Sequence, residues 1–491
     1  MRELSEFRRI GALLSWDQQT KMPPRGADSR ARARATMRVL LHRRLVDPAL
    51  GELLERAEQT DLDAHQAACV RLLLRDHRQA VRLPDDLVRR IALAGGLGHA
   101  AWEEARRRSD FELFKPHLVE IVDLKREQAD LLGHEGERYD ALLDIFEPGM
   151  RAERLRPLFT SLNEELVALV DAIRGASQLP PPPYAGRRFA DQGQWDFTMR
   201  LLADMGFDFE AGRQDLSVHP FSTDIGHYDV RVTTRIFSGD PFSSVYSTIH
   251  EAGHGMYSQG QDGRYEDMPV AEAPSLGAHE SQSRLWENIV GRSRPFWEHY
   301  AAVIPEYLGD SIVGATVEDI YRDVNRVEPS LIRVEADEVT YNLHIMIRFE
   351  LELALMAGDL DVDELPAAWN DAYERRLGVR PPNDVVGVLQ DTHWSDGSFG
   401  YFPTYSLGNL YAAMLWRALT AEIPDVDEQI AAGRFDAILG WLREHVHRAG
   451  SLEECEPLMR RVTGLELTHE PLMDYLWGKY GALYGVARTT A

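Results

Sequence analysis

The chain has 491 residues, 44% of them hydrophobic and 27% charged, proportions that allow a large core and exclude disorder or a fibrous repeat. Its 79 Asp and Glu against 54 Lys and Arg leave a formal charge of -25, which repels phosphate backbones and anionic lipid and argues against nucleic acid or a membrane surface as partner. Cys69 and Cys455 stand far apart with no CxxC pairing, so no disulfide framework is expected, and neither a secretory signal nor ~18 uninterrupted apolar residues occurs, which predicts a soluble, cytoplasmic protein.

Residues 1–178 read mostly as helices, with apolar residues such as Phe114, Leu118, Ile121 and Val122 at three- and four-residue intervals. Ser109 and Glu112 have capping-box spacing for the start of that helix. The prolines 180–183 predict an extended linker. It need not separate independent domains, so a single domain of 1–491 is expected, with the helical segment 1–178 walling a groove completed by 184–491. Tyr228 to Ile236 alternates with period two and predicts a short strand. On it Asp229, Arg231 and Thr233 share one face; as an edge strand it would pair with an extended substrate, or these side chains would anchor it to a neighbouring helix. From Pro241 the helical period returns almost to the end, broken by the Gly- and aromatic-rich stretch Thr392–Asn409. The expected fold is mainly α with one small sheet.

In the segment 241–257, His250 and His254 stand four apart on a helical pattern, so both imidazoles leave one face and can meet one ion. Glu251, beside the first, is placed as general base toward an activated water. The pentapeptide alone also fits two surface histidines beside a glutamate. A catalytic zinc normally takes a third protein ligand. The metzincin arrangement would need Gly at 257 and His at 260, where this chain has Tyr257 and Gly260. A glutamate on a following helix is the other common solution, and 278–288 offers Glu280. Gly253 and Gly255 weaken helix propensity, and close approach of another backbone would explain them.

These residues resemble the M32 metallocarboxypeptidases, a family marked by DxRxT, HExxH, HESQ, IRxxAD and GxxQDxHW. The motifs stand in order at Asp229–Thr233, His250–His254, His279–Gln282, Ile332–Asp337 and Gly387–Trp394. The likeness extends to Leu13–Gln18 and Met22–Pro24, where the chain enters the pattern within the family's first helix. It implies a large helical zinc-peptidase fold with a deep groove and a small antiparallel β-sheet near the metal. It also implies a carboxypeptidase of broad specificity that releases single residues from peptide C-termini. Glu280 would complete a site for one Zn2+ per chain, a set that also suits Co2+, and the family is homodimeric.

Peptide hydrolysis also needs donors for the developing oxyanion. By analogy with related helical zinc peptidases, His393 and Tyr401 suit that role, with Tyr405 nearly equivalent on the same apparent loop; packing of the groove floor is the plainer role for the phenols. The substrate's terminal carboxylate calls for an arginine, either Arg333 or Arg348, unless these pair internally with Asp337 or Glu350. A dipeptidyl carboxypeptidase or oligopeptidase would use the same ligand set, and a non-catalytic helical scaffold is the remaining alternative.

Overall fold

Apolar spacing ahead of the proline run is realised as eight α-helices between Arg2 and Arg174 in the computed structural model, which describes residues 1–488. The helix expected to start at Ser109 begins instead at Phe111. Asp110 is its cap and accepts from the Glu112 backbone, while Ser109 closes the preceding helix in the left-handed region at φ 54°. An Asp one residue nearer the helix displaces the serine box, since either side chain satisfies the same exposed donors.

Apolar packing continues across the proline run. One continuous apolar core runs from Leu87 to Tyr480 and includes Leu169 and Ile173 before the run and Phe189 and Phe197 after it. Arg326 fastens the run by donating to the Leu179 and Pro180 carbonyls. A smaller cluster, Leu4, Leu54, Leu73 and Leu74, joins the helices nearest the N-terminus. Cys69 and Cys455 are both free and buried, and no helix among the described residues is long and apolar enough to cross a membrane.

Strands β1 (Gly212–Leu216), β2 (Ser222–Gly226) and β3 (Asp229–Thr234) form one sheet in the order β1-β3-β2. β3 runs antiparallel to β2 but parallel to β1, so the sheet is mixed rather than wholly antiparallel. β3 is also central, with backbone partners on both sides. It therefore cannot add a substrate strand as an edge would. Its alternating side chains bind within the protein. Asp229 accepts two bonds from Arg231, both at 2.8 Å, and the Arg231 guanidinium lies 4.2 Å over the Trp16 ring. Thr233, fully buried, exchanges bonds with Phe221 and accepts one from Ser217. Val230 and Val232 face the core, and β3 packs beneath the helix Pro241–Gly260 that carries both histidines.

Candidate active site

The helix Pro241–Gly260 starts cleanly because Asp240 accepts from the backbone of Phe242 and Ser243 and Pro241 occupies the first turn. Ser275 caps the next relevant helix, Leu276–Arg284, through the Ala278 backbone. The two cross closely at Gly253. A Cβ built there would lie 2.6 Å from Ser283 Cα and 2.7 Å from the Gln282 carbonyl oxygen, so this glycine answers the expected backbone approach. Gly255 does not, since it meets the side chains of Phe207 and Val232 instead. We expect Gly253→Ala to cost about 1–3 kcal/mol by forcing the helices apart, and to weaken metal binding because Glu280 rides on the displaced helix; denaturant unfolding and metal titration check both.

His250 Nε2, His254 Nε2 and a Glu280 oxygen converge within 4.8 Å of one another. Glu280 Oε2 lies 3.7 Å from His250 Nε2 and 3.3 Å from His254 Nε2. Each imidazole is held from behind. His250 Nδ1 is 2.8 Å from Glu287 Oε2, and His254 Nδ1 is 2.5 Å from His279 Nδ1. With the proton on Nδ1 of both ligands, each Nε2 lone pair points at the shared space, the arrangement metal-binding histidines need. Glu280 is braced in turn by Arg284, whose Nε donates to Oε1 at 2.6 Å. Although burial opposes ionisation, Arg284 and the two histidines hold its carboxyl well below the usual range. Gly408, on the helix Pro403–Glu422, leaves room for Glu280, since a Cβ there would overlap the glutamate's Cγ. Two imidazoles and one ionised carboxylate, each oriented from behind, fit a borderline divalent ion such as zinc or cobalt.

Glu287 reaches His250 because the helix widens to a π-turn over Leu285–Val290, an insertion that re-aims side chains at many functional sites. Burial works against the Glu287 charge, but the His250 bond and the Arg284 and Arg292 charges bring its carboxyl down to about 2. Burial and the neighbouring His254 push His279 down to about 3, so it stays neutral as the proton acceptor behind His254. Sequence reasoning assigns no role to Glu287, His279 or Arg284. Glu280 and Arg284 stand one helical turn apart, a spacing that marks the pair, whereas Glu287 lies in the π-turn and carries no such signal.

Glu251 is buried, and among the described residues no protein donor bonds its carboxylate. Burial raises its pKa against the pull of the two histidines. His393, Tyr401 and Tyr405 come together: His393 Nε2 is 3.1 Å from the Tyr405 hydroxyl, and the Tyr401 ring centre lies 5.3 Å from those of both His393 and Tyr405. All three are half-buried. Burial and Arg333 bring His393 down to about 4, and burial together with Glu280 keeps the Tyr401 phenol protonated. Tyr405 lies in the first turn of a helix, not in a loop, because Pro403 starts Pro403–Glu422. The irregular stretch thus ends at Phe402.

The two arginines share one partner. Arg333 Nη2 and Arg348 Nη2 lie 2.8 and 2.5 Å from opposite oxygens of Asp391. Neither expected internal partner is used, for Asp337 caps Thr340 and Glu350 pairs with Arg376. Arg348 is fully buried and donates four hydrogen bonds, to Asp391, the His344 carbonyl, the Tyr373 hydroxyl and Gln390, with Nη2 also 2.5 Å from Asp391. The Arg333 guanidinium donates three, to Asp391 and the Tyr341 hydroxyl. The Tyr341 ring also lies 4.2 Å beneath the Arg284 guanidinium, so one buried chain of contacts runs from Glu280 through Arg284, Tyr341 and Arg333 to Asp391.

The family model described as Carboxypeptidase Taq (M32) metallopeptidase matches residues 1–480. Thermostable carboxypeptidase 1 of Thermus thermophilus is 44% identical over 99% of this chain and 97% of its own length, and carboxypeptidase 1 of Bacillus subtilis is 35% identical over 99% and 97%. The crystal structure of M32 carboxypeptidase from Deinococcus radiodurans R1 superposes with a TM-score of 0.96 at 42% identity, covering 99% of this chain and 98% of that one. With the fold, the convergent ligand set and a full-length match in agreement, the chain belongs to the M32 family of metallocarboxypeptidases and is a peptide hydrolase.

Proposed function

We propose that the protein is a zinc-dependent carboxypeptidase of broad specificity that releases single amino acids from peptide C-termini, with one ion per chain at His250, His254 and Glu280. The convergence of those three ligand atoms beside Glu251, a buried carboxylate that accepts no hydrogen bond among the described residues, supports this reading most strongly. When bound, the ion supplies Lewis-acid polarisation of the scissile carbonyl and of the attacking water. Glu251 accepts the water's proton on a carboxylate oxygen and delivers it to the leaving amine. His393 and Tyr401 donate to the carbonyl oxygen as it gains charge, with Tyr405 supporting them.

Arg333 reads the substrate carboxylate, because among the described residues its guanidinium donates three hydrogen bonds where that of the fully sealed Arg348 donates four. Arg348 instead holds Asp391, and Asp391 aims Arg333. Asp229, Arg231 and Thr233 act indirectly, by fixing the strand beneath the metal helix. A single domain, a homodimer and a cytoplasmic location complete the reading, and a sedimentation mass of twice the chain checks the dimer. Digestion of an N-blocked tripeptide decides the main point: free C-terminal amino acids are expected, whereas released dipeptides would overturn it in favour of a dipeptidyl carboxypeptidase.

A further inference from the structure

Glu352 lies on the helix Tyr341–Ala357 and is sealed from solvent. Three donors meet its carboxylate. Trp394 Nε1 donates to Oε1 at 2.8 Å, while the Gly400 backbone N–H and the Tyr139 hydroxyl donate to Oε2 at 3.0 and 2.9 Å. Trp394 adjoins His393, and Gly400 adjoins Tyr401. One carboxylate therefore ties down both ends of the turn that presents the two proposed oxyanion donors.

That turn needs an anchor. Gly400 sits at φ +89°, and a Cβ there would lie 2.7 Å from the Leu142 carbonyl carbon, so only glycine fits, and glycine supplies the least rigidity of any residue. The segment pressed against it, Arg138–Leu143, also provides Tyr139. The N-terminal helical region thus reaches the turn from behind.

We infer that Glu352 is a positioning residue for His393 and Tyr401, a role that rests on the carboxypeptidase reading given above. Burial pushes its carboxyl up to about 7, and the three donors oppose that rise. Their demand is for an acceptor at each of two oxygens, which a carboxyl group offers. A glutamine of the same shape keeps one oxygen and turns an NH2 toward the other position. The indole and backbone N–H groups cannot rotate away, so in either amide orientation a donor faces a donor and one end of the turn must shift.

In full-length, zinc-loaded E352Q, kcat is expected to fall about 10- to 100-fold with KM within about twofold, the scale expected of donors displaced by less than about 1 Å. Bound zinc should stay at the wild-type stoichiometry. General loosening would instead raise KM or release metal. Trp394→Phe removes one tie while leaving the Glu352 carboxyl, and is expected to lower kcat to a smaller extent; it decides the question if E352Q does not fold. An unchanged kcat in a folded variant, or a loss matched by lost metal or raised KM, overturns the positioning role. If the wild type releases no single amino acids, the carboxypeptidase reading fails instead, whatever the variants do.

Discussion

Glu251→Gln is expected to retain its metal and lose roughly 10²- to 10⁴-fold in kcat, the range a general base contributes. The substitution is nearly isosteric, so the helix and the ligands His250 and His254 on the same turn should stay in place. No protein donor among the described residues depends on the carboxylate, so its removal breaks no structural bond. What disappears is the acceptor for the water proton, an effect on turnover rather than on substrate affinity. Metal analysis beside steady-state kinetics separates these quantities. Full activity in the metal-loaded variant would refute the assigned base, and loss of metal would make Glu251 a member of the ligand shell.

The features of the site legible in the sequence are those set by local spacing. His250, Glu251 and His254 follow from one helical turn, and Glu280 from the need for a third ligand. The strand at 229–234 is readable from its alternation, but its central place in a mixed sheet is not, because pairing depends on β1 and β2, whose sequences carry little strand signal. Asp391 shows the same limit. Arg333 and Arg348 each have acids nearby in sequence, Asp337 and Glu350, and both pass them over for a carboxylate some forty to sixty residues away. Local capping and surface pairing already claim the nearer acids. Glu287 is hidden by the π-turn, since strict 3.6-residue spacing does not aim it at His250.

Asp391→Asn carries the largest expected cost in stability, about 3–5 kcal/mol, because two buried guanidiniums lose their shared counter-charge at once. The side chains concerned are 6%, 0% and 9% exposed for Arg333, Arg348 and Asp391, so water cannot compensate, and the amide's similar size removes any cavity contribution. Burial alone would raise the Asp391 carboxyl, but Arg333 and Arg348 hold it well below the usual range. An acid whose folded pKa is depressed stabilises the fold above its unfolded value, near 4, and that contribution is lost as pH falls toward the folded pKa. The stability gap between wild type and Asp391→Asn, read from urea unfolding, should therefore be constant from neutral pH to about pH 5 and narrow in more acid solution. A gap below about 1 kcal/mol at neutral pH would show that the arginines find other partners. Because Asp391 also aims Arg333, the folded fraction of the variant should show a raised KM for peptides with a free C-terminus, which joins the stability of this buried cluster to the reading of the substrate.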